Sequence, residues 1–235
     1  MFRIETMTAC ALVMSLGSSC AKEAPTPSPE APRPKPTSRV ETLPVYEDAS
    51  FTPRWIEAGE LDGLAVHTIP PFTLTNQLGE TITEETFAGK IYVADFFFTT
   101  CPGICLDMTI NMAKLQQELA DEDDVVFLSH TVTPDLDTVE VLAAYGEAQG
   151  VKPGKWHLAT GERSTIYELG RRQYFVEEDM GEKRSDDEFL HTENFVLVDG
   201  RRRIRGIYNG LNDTALAQLV ADVRTLRAER SQPGG

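Results

Sequence analysis

The chain is short of positive charge, and this shortage excludes one class of partner. Its 22 lysine and arginine residues stand against 37 aspartate and glutamate residues, for a formal net charge of −15. A surface of that charge repels nucleic acid and anionic lipid, so we predict no nucleic-acid partner. The basic cluster Arg201–Arg203, with Arg205, lies between short strand patterns and is interpreted as a solvated turn or hairpin edge.

Cysteine and long apolar runs are scarce as well. Cys10 and Cys20 lie in the first twenty residues, so only Cys101 and Cys105 belong to the folded region, which excludes a disulfide-stapled scaffold. The apolar stretch Ala9–Leu16 is far shorter than the ~20 residues needed to cross a bilayer, which argues against a lasting transmembrane helix. Hydrophobic residues nevertheless make up 41% of the 235 residues, enough for one domain with a proper core.

The N-terminal region has the pattern of an exported protein. Residues 1–19 are predicted to be a signal peptide, with Arg3 before the apolar stretch and small residues before Cys20. Small residues directly ahead of a cysteine resemble a bacterial lipobox, which predicts Cys20 as the lipidation site. The protein is then extracytoplasmic and anchored to the membrane on the periplasmic side. Ordinary secretion or a retained N-terminal anchor is the alternative.

The remaining chain divides into three predicted segments. Residues 20–42 are expected to form a lipidated tether, because residues 21–38 hold six prolines and no large apolar residue. Residues 43–230 have a globular composition, and residues 231–235 are expected to be a disordered tail.

The most informative stretch is Ile91–Thr109. An apolar run, Ile91–Phe98, is followed by Cys101 and Cys105, which bracket a Pro-Gly pair. Apolar residues then recur at helical spacing, at Met108, Met112, Leu115 and Leu119. This pattern predicts a buried strand that leads into a helix, with Cys101 at the N-cap and Cys105 one turn further on.

Two thiols at such a junction suit two kinds of chemistry. A helix N-terminus favours thiolate over thiol, and soft thiolates exchange disulfides, bind soft metals, or both. A histidine would complete a trigonal metal site. His191 is the favoured candidate, because it precedes a strand that is expected to lie beside Ile91–Phe98, the strand that leads to the two thiols. His130 is interpreted as a neighbour of the site or a packed residue, and His67 and His157 as structural.

The order of elements indicates the fold class. A second buried strand, Val125–Val132, precedes a helix over Thr138–Gln149 that Asp137 is expected to cap, and a short strand follows at Trp156–Ala159. Further predictions are a single helical turn over Glu84–Phe87 capped by Thr83, a helix capped by Ser164, and a polar loop at Glu177–Glu188. A strand at Asn194–Val198, its hairpin partner at Ile204–Tyr208, and a final helix capped by Asp213 complete the pattern. We therefore predict an α/β, thioredoxin-like domain with a central mixed sheet, parallel early and antiparallel late, flanked by helices and preceded by an N-terminal extension.

Four segments in order resemble the Sco/SenC proteins, which are copper-binding thioredoxin-fold factors for cytochrome c oxidase assembly. They are FFFTTCPGICLDMT, SHTVTPDLDT, KWHLATG and HTENFVLVDGRRRIRGIYNG, and the likeness extends over about residues 70–226. The chain departs from the family pattern at two positions. It has Leu106 where the family commonly has proline, and it has Thr133 before Pro134 where the family usually has aspartate before the proline. Neither departure removes a donor atom.

The resemblance implies a function and a ligand set. It implies a metallochaperone, not an enzyme in the turnover sense, that binds Cu(I) and Cu(II) through Cys101, Cys105 and His191 for the CuA site of cytochrome c oxidase. Copper donor proteins and an oxidase subunit are the implied partners. The alternative is a membrane-tethered thiol–disulfide oxidoreductase, with Cys101 and Cys105 as a redox pair acting on the cysteines of exported proteins or oxidase subunits.

Overall fold

A computed structural model describes residues 42–230, apart from 57, 62, 102, 177–189 and 191. The predicted signal peptide, Cys20, most of the tether, the whole polar loop Glu177–Glu188, His191 and the predicted tail therefore lie outside the described residues. No helix within the described part of the chain has both the length and the apolar content that crossing a membrane requires.

Seven strands form one mixed sheet in the order β2-β1-β5-β4-β3-β6-β7. Their bounds are β1 Thr73–Asn76, β2 Thr81–Thr83, β3 Ile91–Phe97, β4 Val125–Thr131, β5 Trp156–Thr160, β6 Asn194–Val198 and β7 Ile204–Asn209. Strands β3, β4 and β5 are parallel, whereas β1, β2, β6 and β7 pair antiparallel with their neighbours. The thioredoxin-like mixed sheet is confirmed. The three strands of the predicted strand–helix units, β3 to β5, are parallel, and β6 and β7 are antiparallel, as predicted, while a hairpin of β1 and β2 adds an antiparallel edge beside β5.

In the described part of the chain, five α-helices accompany the sheet: α1 Ala58–Leu61, α2 Ile104–Glu118, α3 Val139–Gln149, α4 Arg163–Glu168 and α5 Asp213–Arg230. A 3₁₀ turn at Glu84–Phe87 precedes β3, and a π-helical turn at Leu169–Gln173 continues α4. The predicted stripe on α2 is confirmed, because Met108, Met112, Leu115 and Leu119 are all buried. Each such side chain contributes about 1.5–3 kcal/mol when it leaves water.

The strand β3 is buried along its whole length and separates two apolar cores. Val93 and Phe97 face a core shared with α2, α3 and α5, whereas Tyr92 and Phe96 face a second core that includes Ile166 of α4. Because successive side chains on a strand point to opposite faces, Asp95 lies on the α2 side with Val93 and Phe97. This placement puts the Asp95 carboxyl group on the side of the sheet that α2 covers.

Three of the predicted caps differ from the structure. Thr138, not Asp137, accepts the capping hydrogen bond of α3, from Val141 N–H, because Asp137 is engaged elsewhere. Ser164 lies inside α4, whose N-cap is Glu162 without a side-chain bond. At the start of α5, Asn212 accepts a hydrogen bond from Ala215 N–H. The 3₁₀ turn is capped by Thr83, as predicted.

Candidate metal centre

The thiol loop joins the end of β3 to the start of α2. Cys101 N–H donates to the Phe98 carbonyl at 3.4 Å, so the chain turns as soon as the strand ends. The N-cap of α2 is Gly103, in a non-helical conformation, and its carbonyl accepts from Leu106 N–H at 2.9 Å. The prediction of Cys101 as N-cap is therefore wrong. Cys101 precedes the cap by two residues, and Cys105 is the second residue of the helix.

Cys101 and Cys105 are free, half-buried thiols four positions apart, one before the start of α2 and one within it. Burial raises the pKa of Cys101, but hydrogen bonds from the Cys105 thiol and from the backbone N–H groups of Gly103 and Cys105 lower it below its ordinary value. Burial raises the pKa of Cys105 to about 12, and the hydrogen bond donated to Cys101 adds to that rise. Of the two sulfurs, Cys101 is therefore the more readily ionised.

A buried carboxyl group beneath the thiols was not recognised in the sequence. The side chain of Asp95 is 1% exposed, and its Oδ1 has no hydrogen-bond partner among the described residues. Burial raises the pKa of Asp95 to about 7, against a smaller lowering by the hydrogen bond from Ser129. Burial is the main cause of the raised pKa values of Cys105 and Tyr145, and the charge of Asp95 adds a smaller rise to each. In the sequence this residue is hidden within an apolar run.

Asp137 is the second residue whose role was not predicted. It is fully buried, and its carboxylate accepts hydrogen bonds from Thr99 N–H at 3.3 Å, Thr99 Oγ1 at 2.5 Å and Thr133 Oγ1 at 2.9 Å. Thr131 Oγ1 donates to it as well. Thr99 lies two residues before Cys101, so Asp137 ties the thiol loop to the end of β4.

The three described histidines are packed or bonded within the fold. The fully buried ring of His130 stacks on Phe96 with 4.5 Å between centroids, and its Nδ1–H donates to the Asp95 carbonyl at 3.2 Å. Its Nε2 has no partner among the described residues, and burial lowers its pKa to about 4.

His67 Nε2 lies 2.8 Å from the Gln173 carbonyl, and His157 is buried against Asn76. These positions agree with the structural interpretation of His67 and His157.

His191 lies outside the described residues, but the strand that follows it does not. β6 pairs antiparallel with β3, with Val196 opposite Ala94 and Val198 opposite Tyr92. The leading end of β6 is therefore at the same end of the sheet as Cys101, as predicted. Within the described part of the chain, no three cysteine, histidine or acidic side chains cluster as a metal site.

These observations define a thioredoxin-like domain with a dithiol at the carboxyl end of its central strand. A family model described as SCO1/SenC matches residues 62–227, and the chain belongs to this family. The match covers the sheet, helices α2 to α4 and α5 as far as residue 227, so the resemblance in the four sequence segments is confirmed.

Solved structures of three related proteins show the same fold. The SCO1/SenC family lipoprotein from Bacillus anthracis str. Ames is 32% identical, with 68% of this chain and 95% of that chain covered and a TM-score of 0.60. BsSco, a member of the Sco family of cytochrome c oxidase assembly proteins in which a disulfide switch was identified, is 28% identical, with 71% and 95% covered and a TM-score of 0.59. Arabidopsis thaliana ScoI with copper bound is 26% identical, with 68% and 98% covered and a TM-score of 0.54.

Proposed function

We propose that this protein is a copper metallochaperone for the assembly of cytochrome c oxidase at its CuA site. The observation that carries this proposal is the pair of free, half-buried thiols four positions apart at the start of α2. Two soft sulfurs at one strand–helix junction can bind one ion together, and soft thiolates select Cu(I). The copper-bound relative from Arabidopsis thaliana and the link of BsSco to oxidase assembly support the same assignment.

The proposed ligands are Cys101, Cys105 and His191. Cys101 is the readily ionised sulfur, and Cys105 releases its proton as its sulfur binds the ion. The imidazole of His191 is the third donor, and the position of β6 beside β3 supports this role. A set of two thiolates and one imidazole suits both Cu(I) and Cu(II), as a protein that receives and passes on copper requires.

Anaerobic titration of the full chain with Cu(I) and Cu(II) tests this ligand set. We expect one copper per chain, a loss of tight binding in Cys101→Ser and Cys105→Ser, and a weaker Cu(II) site in His191→Ala. His67→Ala is the matched control, because the His67 ring is already bonded to a backbone carbonyl. A wild-type chain that binds no copper would refute the proposal, and a His191→Ala chain that binds Cu(II) like wild type would remove His191 from it.

The proposed location is the outer face of a membrane, held by a lipid on Cys20 after removal of residues 1–19. The tether of residues 20–42 then separates the anchor from the domain of residues 43–230. The description of the Bacillus anthracis relative as a lipoprotein supports this arrangement. Mass spectrometry of the mature N-terminus tests it, and an unmodified Cys20 would refute lipidation. Copper donors and an oxidase subunit are the proposed partners.

A second candidate function, thiol–disulfide exchange, is favoured by the unequal thiols. In this reaction the Cys101 thiolate attacks a partner disulfide and releases one partner thiolate, which takes up a proton. Cys105 then loses its proton and attacks the Cys101 sulfur, which releases the second thiol. The protein dithiol is oxidised by two electrons and the partner disulfide is reduced. The disulfide switch identified in BsSco supports such chemistry. His191→Ala separates the two functions, because it should weaken copper binding and leave exchange intact.

A further inference from the structure

Apolar side chains are concentrated on the surface next to the thiols. Eight large hydrophobic residues are exposed in the described part of the chain, and five of them lie in two segments that flank the thiol loop. These five form the apolar rim: Ile104 (49% exposed), Leu106 (38%), Ile110 (42%), Leu136 (62%) and Val141 (39%). Single exposed apolar residues are normal, but a concentration around a reactive group marks an interaction surface.

The two segments of the apolar rim are held together around the thiol pair. Ile104, Leu106 and Ile110 belong to the first two turns of α2, interleaved with Cys105. Leu136 adjoins Asp137, whose carboxylate is bonded to Thr99, two residues before Cys101. The Tyr145 hydroxyl of α3 lies 2.9 Å from Thr109 Oγ1 of α2, which joins the two helices. A molecule that reaches the thiols therefore passes between apolar side chains from α2 and from the β4–α3 connection.

The charged residues of these two segments all have one sign. Asp107, Asp135 and Glu140 are exposed, whereas residues 103–110 and 133–143 contain no lysine or arginine. An apolar surface with an acidic border complements a surface whose apolar residues are bordered by lysine and arginine. The same surface repels a partner surface whose border is acidic.

We propose that the apolar rim is the docking surface for a protein that presents a cysteine pair on a segment bearing apolar and basic residues. The inference rests on the proposed function, in either its copper-transfer or its exchange form. Sulfur exchange brings the reacting atoms within ~2 Å of each other, so the chain that carries the partner's cysteines must cover the side chains beside Cys101 and Cys105. A small disulfide has no such requirement.

Two synthetic disulfide peptides and glutathione disulfide serve as probes. Both peptides carry the same cysteine pair and the same leucines, flanked by lysines in one and by glutamates in the other. With the reduced full chain at low salt, we expect the lysine peptide to react about tenfold faster than the glutamate peptide. The difference between the two peptide rates should shrink in 0.5 M NaCl, because at high salt the attraction between exposed charges is screened beyond a distance of ~3–10 Å. Equal rates for the two peptides at low salt would overturn the charge argument and with it the proposal.

Surface variants test the apolar contribution. Ile110→Ser with Leu136→Ser should slow the lysine peptide about fivefold and leave glutathione disulfide and the Cu(I) affinity unchanged. Leu64→Ser with Leu78→Ser removes two leucines that are 42% and 51% exposed outside the rim, and should change none of the three. A lysine-peptide rate in the rim variant equal to that of wild type would overturn the proposal.

The same experiment separates failure of the docking surface from failure of the proposed function. If the wild-type chain neither binds Cu(I) nor reduces glutathione disulfide, the function itself is refuted, and the docking surface with it. If the wild-type chain is a dimer in solution and the rim variant is a monomer, the rim joins two copies of this chain. That result would overturn a docking site for another protein.

Discussion

At the scale of single residues, the decisive feature is the unequal ionisation of two neighbouring thiols. Burial raises the pKa of Cys105 to about 12, whereas the pKa of Cys101 lies below its ordinary value because the thiol and backbone N–H groups near its sulfur more than offset the effect of burial. The difference arises chiefly from the deeper burial of Cys105. Cys101 is therefore the sulfur that we expect to react first with an alkylating reagent.

This assignment predicts selective alkylation. A short pulse of iodoacetamide at pH 7, followed by peptide mapping, should label Cys101 about tenfold more than Cys105, because only the thiolate reacts. Raising the pH to 9 should increase labelling of Cys101 by less than it would for an ordinary thiol, since its pKa is lowered. Equal labelling of the two cysteines at pH 7 would contradict the assignment.

Asp95 and His130 predict opposing effects of pH on stability. Burial raises the pKa of Asp95 to about 7, so between about pH 4 and 7 the native state keeps a proton that the unfolded state loses, and the free energy of unfolding falls as pH rises. Burial lowers the pKa of His130 to about 4, so between about pH 4 and 6.5 the unfolded state binds a proton that the native state does not, and the free energy of unfolding rises with pH. The two effects partly cancel in the wild type.

Asp95→Asn should remove the first effect and reveal the second. Urea unfolding from pH 4.5 to 6.5 should show a free energy of unfolding that rises more steeply with pH in this variant than in the wild type, by a few kcal/mol over the interval. Asp107→Asn, which neutralises an exposed carboxylate on α2, is the control and should follow the wild-type slope. Parallel curves for Asp95→Asn and wild type would show that Asp95 is ionised in the native state throughout.

At the scale of elements, the thiol loop is held by an element distant from it in sequence. Asp137, at the end of the β4–α3 connection, accepts hydrogen bonds from Thr99, Thr131 and Thr133. Asp137→Ala should lower the free energy of unfolding by about 2–4 kcal/mol, because it leaves buried hydroxyl groups without their charged acceptor. It should also change the rate of Cys101 alkylation and the protection of Thr99 N–H from hydrogen exchange.

The neighbouring cap offers the control for this variant. Thr138→Ala removes the side-chain bond to Val141 N–H and should cost about 1 kcal/mol, with no change in Cys101 alkylation. An Asp137→Ala chain that is less stable but alkylates at the wild-type rate would show that Asp137 supports the fold without positioning the thiol loop.

The same elements show how far the sequence could predict the site. The spacing of Met108, Met112 and Leu115 identified the buried face of α2, because helical periodicity is a local property. The start of α2 was misplaced because the backbone at Gly103 sets it, and no residue pattern signals that conformation. The roles of Asp95 and Asp137 could not be predicted, since they depend on the pairing of β3 with β4, which brings residues more than thirty positions apart into contact.

At the scale of the whole molecule, the N-terminal segment and the thiols are at opposite ends of the sheet. Leu43 and Pro44 are held at the start of β7, where the Arg205 side chain donates to their carbonyls at 2.7 and 3.0 Å. The start of β7 lies at the same end of the sheet as the start of β3, because β6 pairs antiparallel with both strands. The seven residues of β3 then span ~23 Å to the thiol loop. Leu43 and Pro44 therefore lie at the end of the sheet opposite to the thiols.

Arg205 is the residue on which this attachment depends, and its removal tests whether the two ends are independent. The side chain is 3% exposed and pairs with Asp199 at 3.1 Å and Glu229 at 3.0 Å. Arg205→Ala should lower the free energy of unfolding by about 3–5 kcal/mol, because it leaves two carboxylates at the attachment without their buried partner. Hydrogen exchange at Tyr46 N–H, which donates to Ile204, should accelerate, while the alkylation rate of Cys101 should stay at the wild-type value. Arg201→Ala, at an exposed position of the same hairpin, should alter none of these. A changed alkylation rate of Cys101 in Arg205→Ala would mean that movement at the end of the sheet that holds Leu43 reaches the thiols through β3. The two ends of the sheet would then be coupled.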